Sequence, residues 1–312
     1  MGITLIFSLF ALWSLAFPIG KYMLNFSTPI FLTGIRMILA GTILLIYLFL
    51  RRQAPKTLSK KQLLALTMLA LLSIYFTNIL ELWGLSKLSA SKTCFIYSLS
   101  PFIAAILSYL HFNEKITTIK YVGIGIGMIG FLPIILNENN TSNMLFFSLQ
   151  TIGLPELAIV GAAFLSVYGW VILRIIVKNE NVSPLFANGY SMLIGGILAL
   201  LTSYFTDNWS PIPIVKGSFT ELAKSLIFLT LISNIICYNL YGYLLKKYTA
   251  TILSLFGLMS PIFTSIHSYL LLGENISPKI ILSTLVVAFG LFIVYNEELK
   301  QGYIQKKVEN NL

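Results

Sequence analysis

The segment SPFIAAILSYLHFNEKI at residues 100–116 returns as SPIFTSIHSYLLLGENI at residues 260–276. The two segments share a Ser-Pro pair, a Ser-Tyr-Leu triplet eight residues later, and a Glu and an Ile beyond it. A weaker repeat precedes it at a spacing of 155 residues, in which Pro29 matches Pro184 and Gly41 matches Gly196. Repeats at constant spacing indicate duplication. We therefore expect two similar halves with a functional site between them.

The composition identifies lipid as the solvent of this chain. Of its 312 residues, 57% are hydrophobic and 10% are charged, whereas soluble domains carry roughly 25% charged residues. A membrane-spanning helix needs about 20 apolar residues. The sequence therefore predicts an all-α integral membrane protein with ten transmembrane helices, at residues 2–22, 29–50, 63–83, 90–112, 117–136, 153–177, 185–205, 224–245, 249–272 and 278–296.

The distribution of basic residues predicts the topology. Fourteen of the 21 Lys and Arg residues fall on one side of the predicted membrane and six on the other, and the richer side is expected to be cytoplasmic. Both termini then face the cytoplasm of a bacterial cell, with the helices in its inner membrane. Five is an odd number of helices, so two five-helix repeats would have inverted orientations. The expected divisions are residues 1–137, residues 153–297 and a cytoplasmic tail at 298–312.

Several chemistries find no support in the sequence. The formal charge of +10 would suit nucleic acid, but the basic residues lie between apolar segments, where they fix topology and meet lipid. Cys94 and Cys237 fall within apolar segments, and no metal-binding motif is present, so neither a metal nor another cofactor is expected. The run from Gly125 to Gly130 fits GxGxxG by letter only, because it lies within a predicted helix, where glycines favour close helix packing.

Two prolines stand out because a proline within a helix removes a backbone hydrogen bond. Pro101 and Pro261 lie near the middle of the fourth and ninth predicted helices and match each other in the repeat. They are predicted to be hinges or kinks in a cavity wall. A simple kink that assists packing is the alternative.

Polar and aromatic side chains inside the predicted helices are the candidate ligand contacts. Charges and amides at membrane depth are costly and usually serve a function. Arg36 and Glu81 fit this reading, whereas Lys92 could instead extend to the headgroups. Tyr and Trp could belong to interfacial belts. The predicted substrate-binding residues are Trp13, Arg36, Asn78, Glu81, Lys92, Tyr97, Tyr168, Trp170, Asn234, Tyr238 and Asn239.

The chain resembles EamA-type members of the drug/metabolite transporter superfamily over nearly its whole length. The resemblance rests on WSLAFPIGK at residues 13–21, Pro29, and RMILAG at residues 36–41. Ser89-Ala90 before the fourth helix, the Ser-Pro pair within it and a Glu after it also match the family. The second half repeats this pattern from Thr249-Ala250.

The resemblance implies ten helices, a central cavity bounded mainly by helices 1, 3, 4, 6, 8 and 9, and secondary transport without ATP. Ser14 replaces the usual Gly of the family, and Glu81 and Lys92 occupy positions that are usually uncharged. These departures suggest a polar or zwitterionic small-molecule substrate. Some bacterial members exchange S-adenosylmethionine for S-adenosylhomocysteine, which is the leading specific expectation.

Other functions remain open from the sequence. An exporter of amino acids, drugs or other metabolites would share the same architecture. An intramembrane lipid-modifying enzyme would need a catalytic cluster, which the sequence does not offer, and a passive channel would not saturate. We therefore expect a transporter and not an enzyme. The sequence leaves the direction of transport, the coupling ion and the oligomeric state open.

Overall fold

A computed structural model describes residues 2–55, 57–112, 117–135, 153–178, 180, 182–248, 253, 256–275 and 278–302. This part of the chain is helical, with no strands apart from a single antiparallel bridge between Ser27 and Ile214. Seven helical segments are long and apolar enough to cross a membrane, and two shorter apolar helices follow them. Outward-facing side chains such as Phe49 and Phe205 are 76% and 81% exposed, as expected of helices that meet lipid.

The helices follow the apolar segments of the sequence closely. They are α1 Gly2–Trp13, α2 Ala16–Met23, α3 Pro29–Leu50, α4 Lys60–Leu69, α5 Thr77–Lys87, α6 Ala90–Tyr97, α7 Ser100–Phe112, α8 Thr118–Ile135, α9 Leu154–Lys178, α10 Pro184–Thr206, α11 Phe219–Leu229, α12 Tyr238–Leu244, α13 Ser260–Leu272 and α14 Pro278–Lys300. The seven long spans are Thr4–Met23, Pro29–Leu50, Lys60–Lys87, Ala90–His111, Leu154–Lys178, Pro184–Thr206 and Phe219–Leu244.

Some boundaries differ from the predicted ones. The third span begins at Lys60 because Ser59 and Gln62 form a capping box at its start. The last helix continues to Lys300, so the predicted tail is partly helical. The start of the predicted ninth helix at 249–252 lies outside the described residues.

The first span is broken between α1 and α2. Pro18 has no backbone N–H, so the carbonyl of Ser14, four residues earlier, loses its helical donor. The Thr264 hydroxyl donates to this carbonyl at 3.3 Å, and Ser14 Oγ lies 3.1 Å from His267 Nδ1. Helix α13, from the second half of the chain, therefore stabilises the break in the first span.

Each of the two matching prolines follows a break and lies at the second residue of a new helix. Pro101 follows the interruption between α6 and α7, and Ser100 Oγ donates to the freed carbonyl of Tyr97 at 2.5 Å. Pro261 follows a 3₁₀ turn at Gly257–Met259. Proline is tolerated in the first turn of a helix because its missing N–H would have no partner there. The prolines thus begin half-helices, whereas the sequence suggested kinks within continuous ones.

Two π-helical segments occupy matching places in the halves. They are Ala70–Phe76, between α4 and α5, and Thr230–Cys237, between α11 and α12. Their first residues are 160 positions apart, which is the spacing of the stronger sequence repeat. Wider turns of this kind leave backbone carbonyls for other donors and are frequent at functional sites. The amide of Asn78 donates to the carbonyls of Ser73 and Ile74.

Glycines allow two pairs of helices to pack closely and antiparallel. A Cβ added to Gly41 of α3 would lie 2.5 Å from the backbone nitrogen of Leu193, and one added to Gly196 of α10 would lie 2.7 Å from that of Ile38. In the same way, a Cβ at Gly290 of α14 would lie 2.5 Å from the carbonyl oxygen of Gly123 in α8. The predicted GxGxxG run lies within α8, in agreement with a packing role.

Candidate functional site

A cavity lies between the broken and π-containing spans. It encloses about 860 Å³ of space, which includes the solvent at its opening. Its lining comes from α1, α2, α3, α5, α6, α7, α9, α12 and α13 and from the turns at their breaks. The lining residues are Phe10, Trp13, Ser14, Ala16, Phe17, Arg36, Asn78, Glu81, Cys94, Tyr97, Ser98, Ser100, Pro101, Ser166, Val167, Trp170, Ser233, Tyr238, Tyr241, Gly257 and Ser260.

Four aromatic rings form one wall of this cavity. Trp13 lies at the end of α1, Trp170 in α9, and Tyr238 and Tyr241 one turn apart in α12. The ring centroids of Trp13 and Tyr238 are 5.2 Å apart, and those of Trp170 and Tyr241 are 4.5 Å apart. Trp13 also contacts Trp170 edge to face at 5.7 Å. Mutual packing fixes these rings, so they can offer a preformed surface to a flat ligand.

The charged residues of the cavity face this wall from α3 and α5. Arg36 is 5% exposed, and its Nη2 donates to Asn78 Oδ1 at 2.5 Å. Glu81 lies one turn after Asn78 and therefore on the same face of α5. The π segment thus positions the amide that holds the guanidinium.

Part of this polar group has no partner within the described chain. Arg36 Nε is buried and makes no hydrogen bond there. Glu81 interacts electrostatically with Arg36, yet no hydrogen bond or ion pair within 4 Å is found for its carboxylate in the residues that the structure describes. A charge within a membrane span is costly. The arrangement leaves one cation and one carboxylate available to a ligand.

Seven of the eleven predicted binding residues line the cavity: Trp13, Arg36, Asn78, Glu81, Tyr97, Trp170 and Tyr238. Pro101 lines it as well, whereas Pro261 is buried beside it and its neighbour Ser260 reaches the lining. Phe10, Ser14, Tyr241 and the remaining serines also line the cavity but were not among the predicted binding residues. The signal that marks Tyr241 is the repeat, which aligns it with Glu81.

The other four predicted residues do not line the cavity. Lys92 Nζ forms an ion pair with Glu156 Oε1 at 3.1 Å, and the ring of Tyr168 packs edge to face against His111. Asn239 accepts a hydrogen bond from Asn188 at 3.0 Å. Asn234 donates to the sulfur of Met37.

Helix geometry explains two of these placements. Successive residues of a helix are about 100° apart around its axis. Tyr168 therefore points away from Ser166 and Trp170, which reach the cavity from the same helix. Asn239 is likewise turned away from its neighbour Tyr238. These two residues and Asn234 contact neighbouring helices, as buried amides and rings also do in a structural role.

A second polar group joins several elements beyond the cavity. Lys21 Nζ donates to the carbonyls of Leu85 and Leu88, both at 2.8 Å. Glu274 accepts from the backbone nitrogen of Ala90 at 3.1 Å and from the hydroxyl of Ser91 at 3.2 Å. Together with the Lys92–Glu156 pair, these contacts fasten the turn between α5 and α6 to elements of both halves.

The described residues contain no group of three or more His, Cys, Asp or Glu side chains suited to a metal ion. Cys94 and Cys237 are both buried and free. A bundle of apolar helices around a cavity with aromatic, amide and charged walls defines a multi-pass membrane protein with a partly polar interior.

Comparison with known proteins identifies the family. The model of the EamA-like transporter family matches residues 1–136 and 153–296, and the chain belongs to this family. It is therefore a transporter and not an enzyme.

Individual relatives agree with this assignment. A protein of Chlamydia trachomatis serovar L2, named S-adenosylmethionine/S-adenosylhomocysteine transporter, is 36% identical over 97% of this chain and 92% of its own length. A protein of the same name from Chlamydia muridarum is also 36% identical, over 97% of this chain and 94% of its own length. A solved crystal structure that is 13% identical has a TM-score of 0.71 and covers 96% of this chain and 98% of its own. That likeness supports the fold alone.

Proposed function

We propose that this protein exchanges S-adenosylmethionine for S-adenosylhomocysteine across a bacterial cytoplasmic membrane. The observation that carries this proposal is the combination, in one cavity, of a fixed aromatic wall with Arg36 and Glu81. Both compounds combine a flat adenine ring with a charged amino-acid group. The names of the Chlamydia relatives point to the same cargo.

The cavity could accept the two ends of such a molecule separately. The adenine would stack on the faces of the aromatic wall, because π-faces interact favourably with flat rings. The amino-acid end would face Arg36, Asn78 and Glu81. The seryl hydroxyls of Ser98, Ser166 and Ser233 also line the cavity and can bond the ribose.

We further propose the membrane arrangement of ten helices in two inverted five-helix repeats. The antiparallel pairs α3 with α10 and α8 with α14 support it, because each pair joins matching helices of the two halves. The π segments at the repeat spacing support it as well. Rocking of the halves against each other would expose the central cavity to each side in turn. The excess of basic residues on one side supports cytoplasmic termini.

Counter-flow in proteoliposomes tests the cargo. Vesicles preloaded with labelled S-adenosylmethionine should release it faster when S-adenosylhomocysteine is added outside, and the rate should saturate. Protein-free vesicles are the control. Saturable movement of an ordinary amino acid, with no response to either S-adenosyl compound, would favour the alternative of an amino-acid or drug exporter.

Cysteine labelling tests the orientation. Gln53 and Asn208 are exposed and lie beyond opposite ends of the packed pair α3 and α10. In a background without the two buried native cysteines, Gln53→Cys should react only from the cytoplasmic side and Asn208→Cys only from the outside. Neither substitution changes the basic residues that set topology. Labelling of both positions from one side would refute the arrangement.

A further inference from the structure

The two opposite charges of the cavity are close enough to interact but are not paired. Arg36 projects from α3 and Glu81 from α5, and the structure gives them an electrostatic interaction. No ion pair within 4 Å joins them in the described residues. Asn78 lies one turn before Glu81, and its Oδ1 accepts a hydrogen bond from Arg36 Nη2 at 2.5 Å. A neutral amide therefore fixes the guanidinium in place without cancelling its charge.

This separation is informative because two unpaired charges within the membrane destabilise a protein. A direct ion pair would recover part of the desolvation cost of each charge. Here Arg36 is 5% exposed and keeps an unpartnered Nε, while the Glu81 carboxylate borders the cavity. A ligand with its own neighbouring positive and negative groups would provide an oppositely charged partner for each of the two residues.

We propose that Arg36 and Glu81 are the two poles of a site for the α-amino-acid group of the cargo, in which Arg36 binds the carboxylate and Glu81 the ammonium. The inference rests on the proposed function and specifies how that cargo is oriented. S-adenosylmethionine and S-adenosylhomocysteine share this amino-acid group and differ at the sulfur. A site that recognises the shared amino-acid group would bind both compounds of the exchange.

The other charges of the same region serve different contacts. Lys21 donates to backbone carbonyls at the end of α5, and Lys92 forms an ion pair with Glu156. Neither is among the residues that line the cavity. Arg36 is thus the cation of the described lining, and its planar guanidinium can bind a carboxylate through two hydrogen bonds.

Thermodynamic cycles that combine one substitution in the protein with the removal of one group from the ligand test the assignment. Equilibrium binding to purified protein would be measured for S-adenosylhomocysteine, for its analogue without the carboxylate and for its analogue without the amino group. With the natural protein, each deletion should weaken binding about tenfold or more, as expected for hydrogen bonds between charged groups. In Arg36→Gln, loss of the carboxylate should cost less than about threefold, while loss of the amino group should still cost about tenfold. Glu81→Gln should show the reverse pattern.

Controls separate this inference from folding and from the proposed function. Glu221→Gln removes an exposed acid outside the cavity and should retain the wild-type pattern. If Arg36→Gln does not fold, Arg36→Lys carries the same test, because a single ammonium cannot bind the carboxylate through two parallel bonds. Additive losses in both cycles would overturn the roles assigned to Arg36 and Glu81 without contradicting the proposed identity of the cargo. A natural protein that binds neither S-adenosyl compound would overturn the proposed function itself.

Discussion

Lys92 Nζ lies 3.1 Å from Glu156 Oε1, and this ion pair joins α6 of the first half to α9 of the second. The two side chains are only 13% and 15% exposed. The same region holds the contacts of Lys21 and Glu274, so the turn between α5 and α6 is attached to both halves at several points. On the proposed topology this region lies on the outer side of the membrane.

The ion pair makes a prediction about stability. Lys92→Met or Glu156→Gln alone removes the 3.1 Å ion pair from a poorly hydrated region, and each should lower the free energy of unfolding by about 3 kcal/mol, the low end of the range for buried pairs. The double variant should lose less than the sum of the two. Thermal unfolding in detergent measures this, with Glu221→Gln as an exposed control. Fully additive losses would show that the pair is not coupled.

The broken first span makes a second prediction. Thr264→Val keeps the shape of the side chain but leaves the Ser14 carbonyl without its donor. Because Thr264 is fully buried, we expect a loss of about 1–3 kcal/mol in unfolding free energy. Thr206→Val is the matched control, since its hydroxyl is exposed and bonds only within its own helix. Equal effects of the two substitutions would contradict the stabilising role of Thr264.

The break before Pro101 makes a prediction about rate. Pro101→Ala supplies an N–H that would have to displace Ser100 Oγ from the Tyr97 carbonyl to close the break between α6 and α7. The net gain in hydrogen bonding is therefore small, and the freer unfolded chain costs up to about 1 kcal/mol. Stability should therefore change little while counter-flow slows. Pro29→Ala, at the start of the unbroken α3, should leave the rate unchanged. Pro101→Ala with wild-type transport would reduce the proline to a packing role.

Close helix packing makes a fourth prediction. Gly41→Ala places a methyl group 2.5 Å from the backbone of α10, and overpacking of this kind costs about 1–3 kcal/mol. Gly125→Ala is the matched control, because nothing lies within 4 Å of its added Cβ. It should be neutral or stabilising by up to about 1 kcal/mol. A loss at Gly125 equal to that at Gly41 would point to a general effect of helix glycines instead.

The sequence allowed the apolar helical segments, and eight of the 21 residues that line the cavity, to be predicted for a physical reason. Apolar runs of membrane length determine where helices form, and polar residues within them, such as Arg36 and Asn78, are retained only at a cost. The sequence did not reveal the π segments or the breaks at Ser14 and Leu99. The break at Ser14 depends on a donor some 250 residues away in the chain, the hydroxyl of Thr264. The sequence likewise could not orient Tyr168 and Asn239, because a small rotation of a helix decides which of two neighbouring side chains reaches the cavity.

The use of one cavity in both directions has an energetic consequence for the proposed exchange. The protein's own charged residues, Arg36 and Glu81, return to the same state after each complete cycle, so the net charge moved across the membrane is set by the two cargoes. S-adenosylmethionine carries one more positive charge than S-adenosylhomocysteine because of its sulfonium. Each inward exchange would then move one positive charge down the membrane potential, worth about 2.3 kcal/mol per 100 mV. A voltage across the membrane could therefore drive uptake of the methyl donor even without a coupling ion.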